Sequence, residues 1–123
     1  MPYVPRISDA EWQVMKKLWA QSPQTGNQIV EALSEVNQWS PKTVKTLLNR
    51  LVQKKALGFD RQGREYLYYP LVDRDACARI ESRNFLKRVF DGAVRPMMAA
   101  FLENEDLSAD DVKELKRILN KKG

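Results

Sequence analysis

Apolar residues recur every three or four positions in three stretches of the N-terminal half, the spacing that predicts amphipathic helices. Each stretch begins with residues that cap a helix well: Ser8-x-x-Glu11, Thr25-x-x-Gln28 and Ser40-Pro41. In the first two motifs the hydroxyl and the Glu or Gln side chain satisfy free backbone N–H groups reciprocally, and Pro is favoured at the first helical position. We therefore expect a first helix that ends near Ala20, a second from Thr25 and a third from Ser40.

The third predicted helix is the most strongly amphipathic. Its apolar residues share one face at about 100° per residue: Val44, Leu47, Leu48, Leu51 and Val52. The opposite face and its flanks carry polar residues: Lys42, Thr43, Lys45, Thr46, Asn49, Arg50 and Gln53. No Asp or Glu occurs between Ser40 and Leu57, so the outer face of this helix is basic.

After the third helix the pattern changes to the alternation typical of strands. Residues 57–61 and 64–69 predict two strands joined by the tip Gln62-Gly63, with an end at Pro70. Three helices followed by a β-hairpin is the element order of a winged helix-turn-helix domain, which we place at residues 1–70. The predicted fold class is mainly α with a minor β component.

The remainder, residues 71–123, predicts three more helices. The first covers 73–90, the second contains Pro96 in its first turn, and the third begins at Ser108-x-x-Asp111. The middle helix is apolar nearly all round, and a segment of about 50 residues is too short to bury it alone. We therefore expect a helical dimerisation domain that forms a homodimer about a two-fold axis. The residues expected at its interface are Phe85, Val89, Val94, Met97, Met98, Phe101, Leu102, Leu115, Ile118 and Leu119.

The composition argues against most enzymatic and metal-binding chemistry. The 123 residues include no His and one Cys, so the chain holds no Ser-His or Cys-His pair, no zinc finger and no internal disulfide. We therefore predict no catalytic residue, no metal site and no cofactor. The 21 Lys and Arg against 16 Asp and Glu give a net charge of +5, and the basic excess is concentrated in residues 40–64, where Asp60 is the single acid. Such a stretch predicts a polyanionic partner.

The basic helix is a candidate for reading double-stranded DNA, because an α-helix fits the major groove of B-DNA. The residues expected to read base edges are Thr43, Lys45, Thr46 and Asn49. The residues expected at phosphates are Lys42 and Arg50. The predicted hairpin of residues 57–70, which is the wing of such a domain, adds Arg61 and Arg64 at the backbone or in the minor groove. The alternatives are a solvated helix face and a winged-helix protein-interaction module that uses the same face on an acidic partner.

Two further sequence features bear on location and class. Met1 to Arg6 lacks the apolar stretch of a signal peptide, and the longest nearly uncharged apolar run, residues 96–102, is far shorter than the roughly 20 residues of a membrane span. We expect a cytoplasmic protein without direct membrane insertion. An enzyme would need an Asp, Lys or Tyr site, and no carboxylate pair lies on a recognisable pocket motif.

The chain closely resembles the BlaI/MecI penicillinase repressor family in three motifs: Ile7-Ser-Asp-Ala-Glu-Trp-Gln-Val-Met15, Trp39-Ser-Pro-Lys-Thr-Val-Lys-Thr-Leu-Leu-Asn-Arg-Leu51 and Phe101-Leu-Glu-Asn-Glu-Asp-Leu-Ser108. The resemblance implies a homodimeric repressor of β-lactamase or penicillin-binding-protein genes, bound to a palindromic operator with TACA/TGTA-like half-sites. The positions that match the family's recognition-helix contacts are Lys42, Thr43, Lys45, Thr46 and Arg50, with Lys45 where the best-known members have Arg.

The resemblance also implies a mechanism of induction. In the family, a membrane sensor of β-lactams triggers proteolysis of the repressor in its dimerisation domain, usually between Asn and Phe. The matching bond here is Ala100–Phe101, with Ala100 in place of Asn. Cleavage there would cut an interface helix, weaken the dimer and remove the affinity gained from binding two half-sites at once. The alternative is a repressor of an unrelated regulon.

Overall fold

The computed structural model describes residues 4–123, so the first three residues of the segment assessed for a signal peptide lie outside the described residues. The helices are α1 (Asp9–Ala20), α2 (Gly26–Asn37), α3 (Pro41–Gln53), α4 (Arg74–Phe90), α5 (Val94–Asn104) and α6 (Ala109–Lys122). The strands are β1 (Gln24–Thr25), β2 (Leu57–Gln62) and β3 (Glu65–Pro70). The predicted class, mainly helical with a small sheet, is confirmed. No helix within residues 4–123 is long and apolar enough to cross a membrane.

The predicted helix starts are confirmed at the level of individual hydrogen bonds. At α1 the Ser8 hydroxyl accepts the Glu11 N–H at 3.2 Å, and the Glu11 carboxylate accepts the Ser8 N–H at 2.9 Å. The same reciprocal bonds join two further pairs: Thr25 with Gln28, and Ser108 with Asp111. The Asp73 carboxylate accepts the Ala76 N–H at 3.1 Å in the first turn of α4. These helices therefore begin where their own side chains replace the missing intrahelical partners.

The sheet has the strand order β1-β3-β2 and is antiparallel throughout. In the hairpin Gln62 pairs with Glu65, so the turn residues are Gly63 and Arg64, one position beyond the predicted tip. The backbone explains the shift, because Gly63 has φ +62°, and a two-residue hairpin turn favours a positive φ at its first position, which glycine adopts without strain. Pro70, expected to end the hairpin, is the last paired residue of β3 and lies opposite Leu57.

The chain divides into two compact units, residues 1–81 and 82–123. The core of the first unit, within its described part, consists of buried apolar residues: Ile7, Val14, Met15, Leu18, Ile29, Leu33, Val44, Leu47, Leu48, Leu51, Ala56, Leu57 and Cys77. The division lies inside α4, later than the predicted boundary after residue 70. The physical reason is that Cys77 is only 3% exposed and packs in this core, so the first turns of α4 belong to the N-terminal unit. Trp19 reinforces the link, because its indole N–H donates to the Val72 carbonyl at 3.0 Å.

The second unit has no core of its own. No side chain between residues 82 and 123 is buried. The Phe85 and Phe101 rings stack with centroids 6.0 Å apart, and Phe90 meets Phe85 edge-on at 5.9 Å. Beyond this aromatic contact, apolar side chains stay in solvent, with Leu119 63% and Val94 55% exposed. The helices of residues 82–123 therefore leave apolar surface that this unit does not bury by itself.

Candidate nucleic-acid interface

Helix α3 has one buried face and one exposed face, as its sequence predicts. Val44, Leu47, Leu48 and Leu51 are buried and pack this helix against α1 and α2. All six predicted contact residues of the helix are exposed: Lys42, Thr43, Lys45, Thr46, Asn49 and Arg50. Because the apolar face is fixed by the core, the polar face is held rigidly toward solvent.

Short-range hydrogen bonds order the N-terminal turns of α3. The Ser40 hydroxyl accepts the Thr43 N–H at 3.2 Å, and the Ser40 and Thr43 hydroxyl oxygens lie 3.1 Å apart. The Thr46 hydroxyl donates to the Lys42 carbonyl at 2.9 Å. No acid lies in the first turn, so the positive end of the helix dipole and Lys42 add to each other. This end of the helix is suited to an anion such as a DNA phosphate.

The wing places its two arginines differently. The Arg61 Nε donates to the Gly63 carbonyl at 3.2 Å, which ties that side chain to the turn. Arg64 lies in the turn itself and is exposed. Beside them the Phe59 and Tyr66 rings, each 44% exposed, meet edge-to-face with centroids 4.8 Å apart. The wing therefore presents both cationic and aromatic surface to solvent.

A cavity of about 320 Å³ lies between α3 and the wing. Three of the predicted contact residues line it: Lys45, Asn49 and Arg64. The other five, Lys42, Thr43, Thr46, Arg50 and Arg61, lie on the open surface and do not line it. The cavity also takes in residues that the sequence analysis did not single out as functional: Thr25, Gly26 and Asn27 from the start of α2, and Tyr66 and Tyr68 from β3.

The sequence did not predict that the α2 residues belong to this surface, because they come close to α3 only in the tertiary structure. The capping box at Thr25 predicted only a helix start, whereas Thr25 also pairs with Leu67 as part of β1. That pairing brings the first turn of α2 beside the wing. A strand of two residues has no alternating pattern to recognise, so the sequence carried no clear signal for it.

Lys54 differs from the other cations of the basic stretch. Its ammonium forms an ion pair with Glu11, which is 2% exposed, and also donates to the Arg6 carbonyl at 3.0 Å. Burial alone would raise the pKa of Glu11, but the hydrogen bonds from Lys54 and Ser8 outweigh it and lower that pKa. Lys54 therefore neutralises an internal carboxylate, and the basic surface carries one free charge fewer than the sequence count indicates.

Two further groups of the described N-terminal unit have shifted pKa values, Tyr68 and Cys77. Burial, and then the neighbouring Tyr66, raise the pKa of the Tyr68 phenol above its ordinary value of 10.0. Burial, and then Asp73 and Glu81, raise the pKa of the Cys77 thiol. A buried, protonated thiol is a poor nucleophile, in keeping with a packing role for Cys77.

The residues expected at a dimer interface lie on the faces of α4, α5 and α6. Those that are exposed are Val89, Val94, Phe101, Leu102, Ile118 and Leu119, and those that are half-buried are Phe85, Met97, Met98 and Leu115. The Ala100–Phe101 bond lies within α5, and the Asn104 side-chain amide donates to the Ala100 carbonyl at 2.7 Å. This bond is in helical rather than extended backbone.

Comparison with known proteins identifies the family. The penicillinase repressor family model matches residues 7–121. The penicillinase repressor of Bacillus licheniformis is 40% identical over 119 residues, which cover 97% of this chain and 93% of that protein. The methicillin resistance regulatory protein MecI of Staphylococcus aureus strain N315 is 38% identical over 116 residues, which cover 94% of each chain.

A solved structure extends the comparison to the fold. The structure of Bacillus licheniformis BlaI, described as a monomeric form in complex with the blaP half-operator, is 43% identical and has a TM-score of 0.54. The match covers 61% of this chain and 92% of that one. The chain therefore belongs to the penicillinase repressor family, a family of DNA-binding transcriptional repressors with a winged-helix DNA-binding domain and not of enzymes.

Proposed function

We propose that this chain is a cytoplasmic homodimeric repressor in which each protomer places α3 in the major groove of one half-site of a palindromic operator. The observation that carries the proposal is the exposed face of α3, which holds Lys42, Lys45 and Arg50 without an acid beside them. A similar structure of a relative was solved as a monomer on a half-operator, which supports one protomer for each half-site. The half-sites proposed are TACA/TGTA-like, as the family resemblance implies.

In this proposal the polar residues divide by role. Base edges are read by Thr43, Lys45, Thr46 and Asn49, because threonine, lysine and asparagine offer the methyl, donor and amide groups that distinguish base pairs in the major groove. Phosphates are held by Lys42, Arg50, Arg61 and Arg64, which fix register without reading sequence. The wing thus adds affinity, and α3 adds specificity.

In this proposal the C-terminal helices supply the interface with the second protomer. The unburied apolar surface of residues 82–123 supports an interface between two copies of the chain, because a second copy would cover it without any further partner. Since one recognition helix covers only a half-site, dimerisation converts two weak contacts into one strong one. We assign residues 1–70 to DNA binding and 71–123 to dimerisation; within the second segment, residues 71–81 pack with the N-terminal unit, so the proposed interface lies in 82–123.

Control of β-lactam-resistance genes through a membrane sensor protease is the regulatory part of the proposal. Cleavage of Ala100–Phe101 would separate Phe101, Leu102 and the α6 residues from the rest of the interface. Because the bond lies in a helix, α5 must first open locally before a protease can bind it in an extended form. An N-terminal sequence that begins at Phe101 in the fragment released after β-lactam induction would support this step, and an intact chain during induction would contradict it.

The central test is a salt titration of operator binding by the full-length protein. Fluorescence anisotropy with a palindromic TACA/TGTA duplex, and with a scrambled duplex of equal length as control, gives the two affinities. If the dimer neutralises roughly 6–10 phosphates, affinity falls roughly 10³–10⁵-fold between about 50 and 200 mM salt. A nearly flat salt dependence would refute DNA binding by this face. Equal affinity for the two duplexes would refute sequence reading and favour the protein-interaction alternative.

A further inference from the structure

The cavity between α2, α3 and the wing has a lining that a DNA backbone would use only in part. Its volume of about 320 Å³ lies at the lower end of the roughly 300–1,000 Å³ of small-molecule sites. We propose that this cavity binds a planar aromatic carboxylate, and that the bound ligand prevents operator binding. The second half of this statement rests on the function proposed above, whereas the first half does not.

Positive charge reaches the cavity from two elements. Lys45 of α3 and Arg64 of the wing turn both line it, and neither forms an ion pair within residues 4–123. Glu65 lines it as well, so the cations outnumber the carboxylate by one. A carboxylate ligand can therefore gain charge-assisted hydrogen bonds from Lys45 and Arg64, in competition with one acid of the lining, Glu65.

The start of α2 adds to the positive electrostatic potential in the cavity. Gly26 and Asn27, which line the cavity, are the first two residues of the helix, where backbone N–H groups have no intrahelical acceptor. The Thr25 hydroxyl accepts the Gln28 N–H and caps this end of the helix. The positive end of the helix dipole favours an anion here.

The lining also contains apolar and aromatic side chains. Tyr66 and Tyr68 line the cavity with rings 6.5 Å apart at 71°, and the buried side chain of Leu48 lines it as well. A planar ring can pack against these surfaces with the offset or edge-to-face geometry that aromatic pairs prefer. A phosphate alone would leave these surfaces uncovered, so the lining favours an aromatic acid over the DNA backbone.

Occupancy of the cavity and operator binding compete for the same residues. Lys45 and Asn49 line the cavity and are also two of the four residues proposed to read bases. A ligand that engages Lys45 withdraws it from the major groove, and ligand bulk between helix and wing obstructs the approach of a duplex. The cavity would thus act as an effector site within the DNA-binding surface itself.

The test uses 2-naphthoate as the probe and neutral 2-naphthamide as its control. Calorimetric titration of the full-length protein without DNA measures each affinity. We expect 2-naphthoate to bind at least about tenfold more tightly than the amide, because one charge-assisted hydrogen bond contributes that much. Lys45→Gln and Arg64→Gln should each weaken 2-naphthoate about tenfold, whereas Lys16→Gln on the exposed side of α1 should leave it unchanged.

A variant that fills the cavity provides a second, independent test of ligand binding. A Cβ at Gly26 would lie 3.6 Å from Tyr68 Cε2 and 3.8 Å from Leu48 Cδ1, ordinary contact distances, so Gly26→Ala should fold normally while narrowing the cavity. It should weaken the acid and the amide alike. An unchanged melting temperature confirms that a loss of binding is local.

The outcomes separate this proposal from the repressor function. At ten times its own Kd, 2-naphthoate should raise the apparent operator Kd at least about tenfold. No binding of 2-naphthoate at millimolar concentration, or equal binding of acid and amide, overturns the effector site. If inorganic phosphate binds as tightly as 2-naphthoate, the cavity is a site for a DNA phosphate, and the effector site is likewise overturned. If 2-naphthoate binds but the operator does not, the proposed function fails and the ligand site stands.

Discussion

Replacing Lys54 by methionine should destabilise the fold without changing how operator binding depends on salt. The Lys54 ammonium joins the end of α3 to the buried Glu11 of α1 and to the Arg6 carbonyl. Methionine keeps much of the aliphatic stem but leaves the Glu11 carboxylate with the Ser8 N–H as its remaining donor among the described residues. The perturbation therefore isolates one internal ion pair.

The magnitude follows from the exposure of the two partners. Removing one partner of a fully buried ion pair costs about 3–5 kcal/mol of unfolding free energy. Here Glu11 is 2% exposed but Lys54 is 36% exposed, so water partly screens the pair and can solvate the carboxylate in the variant. We expect a loss of about 2 kcal/mol. For a domain of this size that corresponds to a fall in melting temperature of about 8–16 °C.

The effect should depend on pH with a definite sign. The pKa of Glu11 is lowered in the folded chain from 4.5, because the hydrogen bonds from Lys54 and Ser8 outweigh the effect of burial, which acts in the opposite direction. A depressed carboxyl pKa contributes stability that is present above the unfolded value and is lost as pH falls through the folded value. The difference between wild type and Lys54→Met should therefore be full at pH 7 and should shrink below about pH 4.5.

Urea unfolding at pH 7 and pH 3.5, with Lys16→Met as the control for loss of an exposed lysine, measures both effects. Operator titrations of the same variants at several salt concentrations give the number of phosphates neutralised. Two results would refute the reasoning. One is a Lys54→Met protein no less stable than Lys16→Met. The other is a salt slope reduced by about one unit, the change expected if Lys54 contacted a phosphate.

Three further substitutions test the rest of the account. Asn49→Ala should cost about 1–3 kcal/mol on the preferred operator and far less on a scrambled duplex, because it removes base reading; equal losses on both would contradict that role. Met97→Asp should shift the proposed dimer toward monomer at micromolar concentration in sedimentation, since a charge would be desolvated in the proposed interface; an unchanged dimer would place the interface elsewhere. Gly63→Ala should cost about 1 kcal/mol in urea unfolding because Gly63 has φ +62°, and no loss would show that the turn adapts.

Local signals in the sequence predicted most of the secondary structure. Ser8, Thr25, Ser40 and Ser108 each cap the helix that follows, because a capping motif acts over three residues and needs no tertiary partner. The inward face of α3 followed from its apolar spacing alone. The exposed side chains of the candidate site were predictable for the same reason, since they occupy the opposite face of that helix.

Features that depend on contacts between distant residues were not predictable. The position of the wing turn depends on the backbone at Gly63, and the boundary between units depends on Cys77 reaching a core formed by residues far earlier in the chain. Lys54 lies in the basic stretch 40–64, and its ion pair was not predictable because its partner Glu11 lies 43 positions away. The cavity formed by α2, α3 and the wing has the same origin, because strand pairing rather than local pattern brings Thr25 beside the hairpin.

The hydrogen bond from Thr46 to the Lys42 carbonyl limits the contacts that this side chain can make with a base pair. With its hydroxyl hydrogen committed at 2.9 Å, Thr46 has lone pairs and a methyl group left to offer. It can accept from an adenine or cytosine amino group or touch a thymine methyl, but it cannot donate to guanine. If Thr46 reads bases as proposed, this hydrogen bond restricts its hydroxyl to accepting, and the preference of the operator at that position is biased against guanine by the helix itself.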